Sequence, residues 1–281
     1  MAALTLTQLG AALGVAADGI DLNRALDGET QAALRRALLD GLVLCVRGQS
    51  LTPQSYLAAM RGFGEPITQV RQASRHPEVP EIMILSSEDR DDAGDGKRLV
   101  VGAHWHSDDS YKAIPCSLTM LYGVEVPASG GDTQFVNMYA AYDDLPAETQ
   151  RRLAPLRVVH KYDSSRKGTR VAALRPEEAK EVPDVVHPLV RTHPETGRKA
   201  LYMNPNRMEA VASAERGASD ALLDALIRHA TQQKYQYRHK WRRGDILIWD
   251  NRCTMHKANA DYPKAARRLM HRIIVAGTVP A

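Results

Sequence analysis

Trp105-His106-Ser107-Asp108 sets an imidazole and a carboxylate two residues apart. On an extended strand both would project from one face and could share a metal ion. A third ligand has to come from elsewhere in the chain. His256 ends the stretch Trp249-Asp250-Asn251-Arg252-Cys253-Thr254-Met255-His256, follows an apolar strand-like run and precedes an arginine cluster, Arg267-Arg268-Leu269-Met270-His271-Arg272. Two imidazoles and one carboxylate that leave other positions open are the ligand set of non-haem iron(II) centres. Any one of the ten histidines taken singly reads more plainly as a surface or hydrogen-bonded residue, so the weight rests on the combination.

His104 keeps a second reading open. His104, His106 and Asp108 would share one strand face, and a His-x-His pair also begins the metal sites of cupins. Those sites call for a glutamate three or four residues further on, where this chain has Ser110 and Tyr111. His104 is therefore expected to line a pocket rather than to bind metal. Asp109 points to the opposite face and is expected to be a structural acid bonded to neighbouring backbone.

With these residues in view, the chain resembles the taurine and aryloxyalkanoate (TauD/TfdA-type) family of iron(II)/2-oxoglutarate dioxygenases over nearly its whole length. The resemblance rests on an ordered set: the His106–Asp108 motif; Gly130-Gly131-Asp132-Thr133; His187-Pro188-Leu189-Val190-Arg191-Thr192-His193-Pro194 with Gly197-Arg198-Lys199; Trp249-Asp250-Asn251-Arg252 before His256; and Arg268 to Arg272. It implies a catalytic iron(II) on His106, Asp108 and His256, with dioxygen and 2-oxoglutarate as co-substrates and succinate and carbon dioxide as co-products. Arg268 takes the place where the family anchors the far carboxylate of 2-oxoglutarate, a task that suits a planar guanidinium fork. Thr133 matches the hydroxyl that assists it.

Arg272, four residues on and in the same strand phase, looks like the family's contact to an anionic substrate; the plain alternative is a buried salt bridge to an acid not evident from sequence. Arg267 should face outward. Where taurine-using relatives place a histidine and a tyrosine after Phe63-Gly64, an ungapped reading puts Gln69 and Gln72, which supply neither imidazole nor phenol. The expected substrate is thus a small organic anion, an aryloxyalkanoate-like carboxylate or a sulfonate, contacted by Arg272, His104 and Gln69. Taurine dioxygenase proper, a cupin-like metal isomerase or binding protein, and a non-catalytic jelly-roll module are the competing readings.

The rest of the chain has to position these residues. At 281 residues with 44% hydrophobic and 25% charged residues, it can bury one sizeable core as a single domain, 1–281. A formal charge of +4 with interspersed signs speaks against a nucleic-acid partner. Cys45, Cys116 and Cys253 lie far apart without a CxxC spacing and read as buried thiols. No signal-like or membrane-spanning stretch is evident, so a cytoplasmic protein is expected, with a homo-oligomer as an open option.

Many short strands with a few helices point to a sandwich or barrel. The resemblance sharpens this to a mainly β fold with flanking helices, a double-stranded β-helix (jelly roll). Helices are expected over Asp27–Leu39, ended by Gly41, over Pro53–Arg61 after the Thr52 cap, after Asn137, over Pro146–Leu153, and from a Ser219 cap to Ala230. Ser117–Val126 and Asp132–Val136 read as adjacent strands. Polar insertions near 86–98 and 163–184 are lid candidates.

Overall fold

The structure is a computed structural model and describes residues 4–91, 94–96, 101–168 and 171–281. Parts of both insertions expected near 86–98 and 163–184 lie outside the described residues. The main sheet has eight strands. In spatial order they are Thr5–Gln8, Val15–Asp18, Val43–Val46, Ile246–Asp250, Leu118–Glu125, Leu269–Val275 and Pro66–Ile67, with Met83–Ser86 also paired to Leu269–Val275. Facing it is a three-stranded sheet, Gln236–His239, Thr133–Asn137 and Thr254–Ala258. A second three-stranded sheet, Met208–Val211, Arg157–His160 and Val185–Pro188, and the pair Val190–Thr192 with Lys199–Leu201 extend the fold.

The central strands read as unbroken apolar runs because the main sheet is covered on both sides. Val43, Cys45, Leu247, Trp249 and Leu121 point into the core between the sheets. Their neighbours Leu44, Val46, Ile246, Ile248 and Met120 point the other way, against Leu34, Leu38, Tyr56 and Met60 of the helices Gly28–Gly41 and Pro53–Met60. The double-stranded β-helix expected from sequence is the fold observed.

Three local expectations need correction. Leu118–Glu125 and Thr133–Asn137 are consecutive but do not pair; they lie in different sheets. The connection from Val126 to Asp132 exceeds the about two to five residues of a tight hairpin and carries two left-handed glycines, Gly130 (φ 73°) and Gly131 (φ 71°), that turn the chain across. The first helix runs through Gly41, and the left-handed residue that ends it is Leu42 (φ 63°). Gly41 answers to packing instead, since a Cβ there would sit 2.6 Å from Val15 Cγ2. The long C-terminal helix spans Arg216–Ala230 and is capped by Glu215 through Ala218 N–H; Ser219 lies inside it, where its hydroxyl accepts from Val211 N–H. The caps expected at Thr52 and Asn137 are present.

Among the described residues no helix is long and apolar enough to cross a membrane. The described parts of the two polar insertions are tied to each other and to the segment after Gly64. Asp91 Oδ1 accepts from Ala173 N–H (3.0 Å), while Glu178 accepts from Gln72 N–H and from Arg175 N–H (both 2.9 Å). Replacing Glu178 with Ala removes both acceptors, so amide exchange over 171–182 should accelerate at least about fivefold, the equivalent of ~1 kcal/mol of lost anchoring. Unchanged exchange there, measured by mass spectrometry, would contradict the anchoring role.

Candidate metal centre and its two cavities

His106 and His256 meet as a reciprocally bonded antiparallel pair: His106 N–H donates to His256 C=O (2.9 Å) and His256 N–H to His106 C=O (2.8 Å). Directly opposed residues project to one face, and the two imidazole centroids lie 4.1 Å apart. The extended geometry expected through Asp108 holds only at His106; residues 108–110 form a turn, with Asp109 at φ 55°. The turn still delivers Asp108 to the pair. Its Oδ1 lies 3.6 Å from His106 Nε2 and its Oδ2 3.6 Å from His256 Nε2, and the potential ligand atoms of the three residues fall within 4.8 Å of one another.

The donor chemistry fits a metal ion. His106 Nδ1 lies 2.7 Å from His104 C=O, so the ring proton sits there and Nε2 keeps its lone pair toward Asp108. Burial pulls His106 down to about 3, with His256 adding to it, and burial with Arg272 pulls His256 down to about 4, so both rings are neutral near pH 7. Burial opposes ionisation of Asp108, yet Arg272, the two imidazoles and the Thr119 hydroxyl hold its carboxyl below the usual range. Two neutral nitrogens and a carboxylate suit a divalent cation.

Asp108 is fixed from outside by residues whose roles were not evident from sequence. Thr119 Oγ1 donates to Asp108 Oδ2 (2.6 Å) and itself accepts from Asn251 Nδ2 (2.8 Å). Asn251 is oriented in turn, because its Oδ1 accepts from Trp249 Nε1 (3.1 Å) and from Asp108 N–H (3.2 Å). The one signal for Thr119 was a lone hydroxyl within the apolar run Leu118–Leu121. Gly102 is a further case: at φ 76° it lies against the His106 ring, and a Cβ there would be 3.1 Å from His106 Cε1.

Trp249 packs on His256 (4.6 Å between centroids), whereas Trp105 lies under Lys257 (4.9 Å from Nζ to the ring). Asp109 is the structural acid expected, but its partners are side chains, Lys112 Nζ (2.8 Å) and Tyr111 OH (3.1 Å).

Two cavities open on the cluster, and His106, Asp108 and Arg272 line both. The first also holds Thr133 and Arg268. Register explains this convergence: Ala258 pairs with Thr133 and His256 with Phe135 in one sheet, while Trp249 pairs with Thr119 and Arg272 with Leu121 in the other, so all face the same interior. Thr133 Oγ1 accepts from Trp241 Nε1 (2.9 Å), which leaves its own proton for another acceptor. Arg268 packs on Gly131, with Nε 3.4 Å from Gly131 C=O, and has no ion pair among the described residues. Burial pushes its pKa below the ordinary value, opposed only by Tyr262. Arg267 faces outward, 3.5 Å from Glu125.

The second cavity holds His104 and Gln69. Arg272, whose alternative reading was a salt bridge to an unidentified acid, has that acid in Asp108: Nη2 lies 2.7 Å from Oδ1, and Nη1 donates to Gln69 Oε1 (3.0 Å). Gln69 Nε2 is buried without a partner among the described residues. Gln72 is exposed and bound to Glu178 through its backbone rather than placed at the cavity.

Two other clusters could be mistaken for metal sites. In His193–Asp250–Cys253, His193 Nδ1 accepts from Glu195 and Thr196 N–H, so Nε2 carries the proton, donates to Asp250 and has no lone pair to offer. In Cys45–His239–Asp245, Arg47 already pairs with Asp245, and burial pushes the Cys45 thiol up to about 12.

The family profile described as "Taurine catabolism dioxygenase TauD, TfdA family" matches residues 5–274. The chain belongs to this family. An alpha-ketoglutarate-dependent 2,4-dichlorophenoxyacetate dioxygenase from Cupriavidus pinatubonensis is 34% identical over 91% of each chain. A solved taurine dioxygenase from Burkholderia xenovorans superposes with a TM-score of 0.84 at 32% identity, covering 99% of this chain and 91% of its own. AAD-2, solved with Mn(II) and N-oxalylglycine, gives 0.82 at 30% identity over 99% of both. The chain is accordingly an oxidoreductase of the 2-oxoglutarate-dependent dioxygenase class.

Thr119→Val should lower Mn(II) affinity about 10- to 100-fold, the usual effect of losing a hydrogen bond to a metal ligand, while Thr119→Ser keeps it. The free-Mn(II) paramagnetic resonance signal checks this on metal-free protein, and equal affinities for all three proteins would contradict the relay.

Proposed function

We propose that this member of the family is an iron(II) enzyme that hydroxylates a small organic anion, with succinate and carbon dioxide as co-products. The observation that carries the reading is Arg268, a largely desolvated cation without an ion pair among the described residues, lining one cavity with Thr133, His106, Asp108 and His256. A half-buried guanidinium without a carboxylate partner calls for an anionic ligand.

Iron(II) on the three ligands would supply chelation of the keto acid end of 2-oxoglutarate and activation of dioxygen. The chain's own residues do the positioning. Arg268 takes the far carboxylate in its fork, and Thr133, its oxygen already engaged by Trp241, donates its proton to the same group. Trp249 and Phe135 pack around His256 and keep water from its buried side. Arg272, steadied by Gln69, reaches into the second cavity, where a substrate anion would hold its reactive carbon beside the metal. Val171 and Ala172, in the described stretch anchored through Glu178, form part of that cavity's wall.

The relatives' identities of 34% and 32% are too close to rank an aryloxyacetate above taurine. Gln69 favours the carboxylate, since it brings an amide to the wall where the resemblance puts an aromatic or imidazole partner for taurine.

A succinate-release screen over aryloxy acids, other carboxylates and small sulfonates tests the reading. Release should require iron(II), 2-oxoglutarate and a substrate, be lost in Asp108→Ala or His256→Ala, and be poorer with taurine than with the best carboxylate. Turnover that persists in those variants would contradict it.

Arg268→Ala should weaken 2-oxoglutarate by about 2 to 5 kcal/mol, a hundredfold or so in affinity, with Arg267→Ala as the surface control. An unchanged dependence of rate on 2-oxoglutarate would contradict the clamp.

A further inference from the structure

The second cavity holds more positive charge than one substrate anion needs. Besides Arg272, its wall includes Arg71 and Arg207. Arg272 is balanced by Asp108, and Asp109 is balanced by Lys112. Arg71 lies within electrostatic reach of Glu178. Arg207 alone of the three has no such balance: it forms no ion pair among the described residues.

Arg207 is also held in place. Its guanidinium carbon lies 4.3 Å from the centroid of Tyr162 and 4.9 Å from that of Tyr111, two rings that meet edge to face at 5.0 Å, and Nη1 donates to Tyr162 C=O. Both tyrosines line the same cavity. The Tyr162 hydroxyl donates to Ala172 C=O (2.9 Å), which ties the aromatic clamp to the stretch anchored through Glu178. Stacking engages the face of a guanidinium and leaves edge donors for a carboxylate or sulfonate. A fixed, partly desolvated cation of this kind binds an anion better than a mobile surface one, because less freedom is lost on binding.

We propose that Arg207, clamped by Tyr111 and Tyr162, is a second anion site of the substrate cavity, and that the preferred substrate carries two anionic groups, one at Arg272 and one at Arg207. The inference rests on the reading of the second cavity as the substrate site and adds a specificity rule to it. A substrate with one anionic group leaves Arg207 without a counter-charge; a second carboxylate or sulfonate supplies it. Tyr162 and Ala172, bonded to each other, wall the cavity beside that second group.

The test compares a dianion with a monoanion of the same size. Wild-type protein loaded with iron(II) and 2-oxoglutarate, without oxygen, is titrated calorimetrically with 4-carboxyphenoxyacetate and its 3-carboxy isomer, and with the corresponding carbamoylphenoxyacetates, in which a neutral amide replaces the ring carboxylate. The better dicarboxylate should bind about tenfold or more tightly than its amide. Arg207→Gln should remove that difference, and Arg207→Lys should keep most of it. Equal affinities of dianion and amide for the wild type overturn the proposal without the need for any variant. So does an Arg207→Gln protein that retains the difference, or one that loses affinity for both compounds alike, as a purely structural role would produce. Titration of 2-oxoglutarate into the iron(II) protein beforehand separates the levels: failure there overturns the underlying reading and this inference with it, whereas 2-oxoglutarate binding followed by equal affinities overturns the dianion rule alone.

Discussion

The reciprocal backbone pairing of His106 with His256 is the constraint on which the site depends. It forces two imidazoles 150 positions apart in the sequence onto one face, at a separation neither segment could set alone. The pairing extends the three-stranded sheet containing Thr254–Ala258 by a single bridge, after which the chain turns sharply through Asp108 and Asp109. A longer strand would have carried Asp108 along the sheet. The turn instead sets its carboxylate between both rings, where the opposite sheet reaches it through Thr119 and Arg272. The carboxylate is thus gripped from one sheet and the imidazoles from the other, and the space between the sheets becomes the site.

The arrangement of arginines follows from the same geometry. Arg268 and Arg272 share a strand phase, yet they face different electrostatic problems. Arg272 is satisfied within the protein by Asp108, so an anionic substrate would share a cation already tied to a carboxylate of the candidate metal cluster. Arg268 is left to be satisfied by a ligand. Gly130 and Gly131 make the second situation possible. Their left-handed turn brings the backbone against the Arg268 side chain, and a Cβ on Gly130 would meet Asp261 C=O at 2.6 Å.

Much of this was legible in the sequence because it depends on residue type and short spacing. The nearness of His106 to Asp108, the Arg268 and Arg272 phase, the capping residues Thr52 and Asn137, and the outward Arg267 follow from local rules, and the resemblance joined His256 to the first pair and supplied the jelly roll. What was not legible depends on contacts between distant segments. Thr119 looks like an ordinary strand residue until Asn251 is seen to supply its second bond. Arg207 carries no motif, and its meaning comes from two tyrosines brought beside it by separate segments. The pairing of Leu118–Glu125 with Thr133–Asn137 was misread because adjacency in sequence suggested a hairpin where the loop crosses between sheets. The turn at Asp108 was misread as strand because alternation alone does not reveal a left-handed residue at Asp109.

The central claim is that one cluster, and not the two other His-containing ones, holds the metal where both cavities meet. Anomalous X-ray scattering from crystals of the protein soaked in Mn(II) addresses it directly. The account predicts one strong peak bounded by His106 Nε2, Asp108 and His256 Nε2. A dominant peak at Cys45–His239–Asp245 or His193–Asp250–Cys253, or no peak beside Asp108, would contradict it.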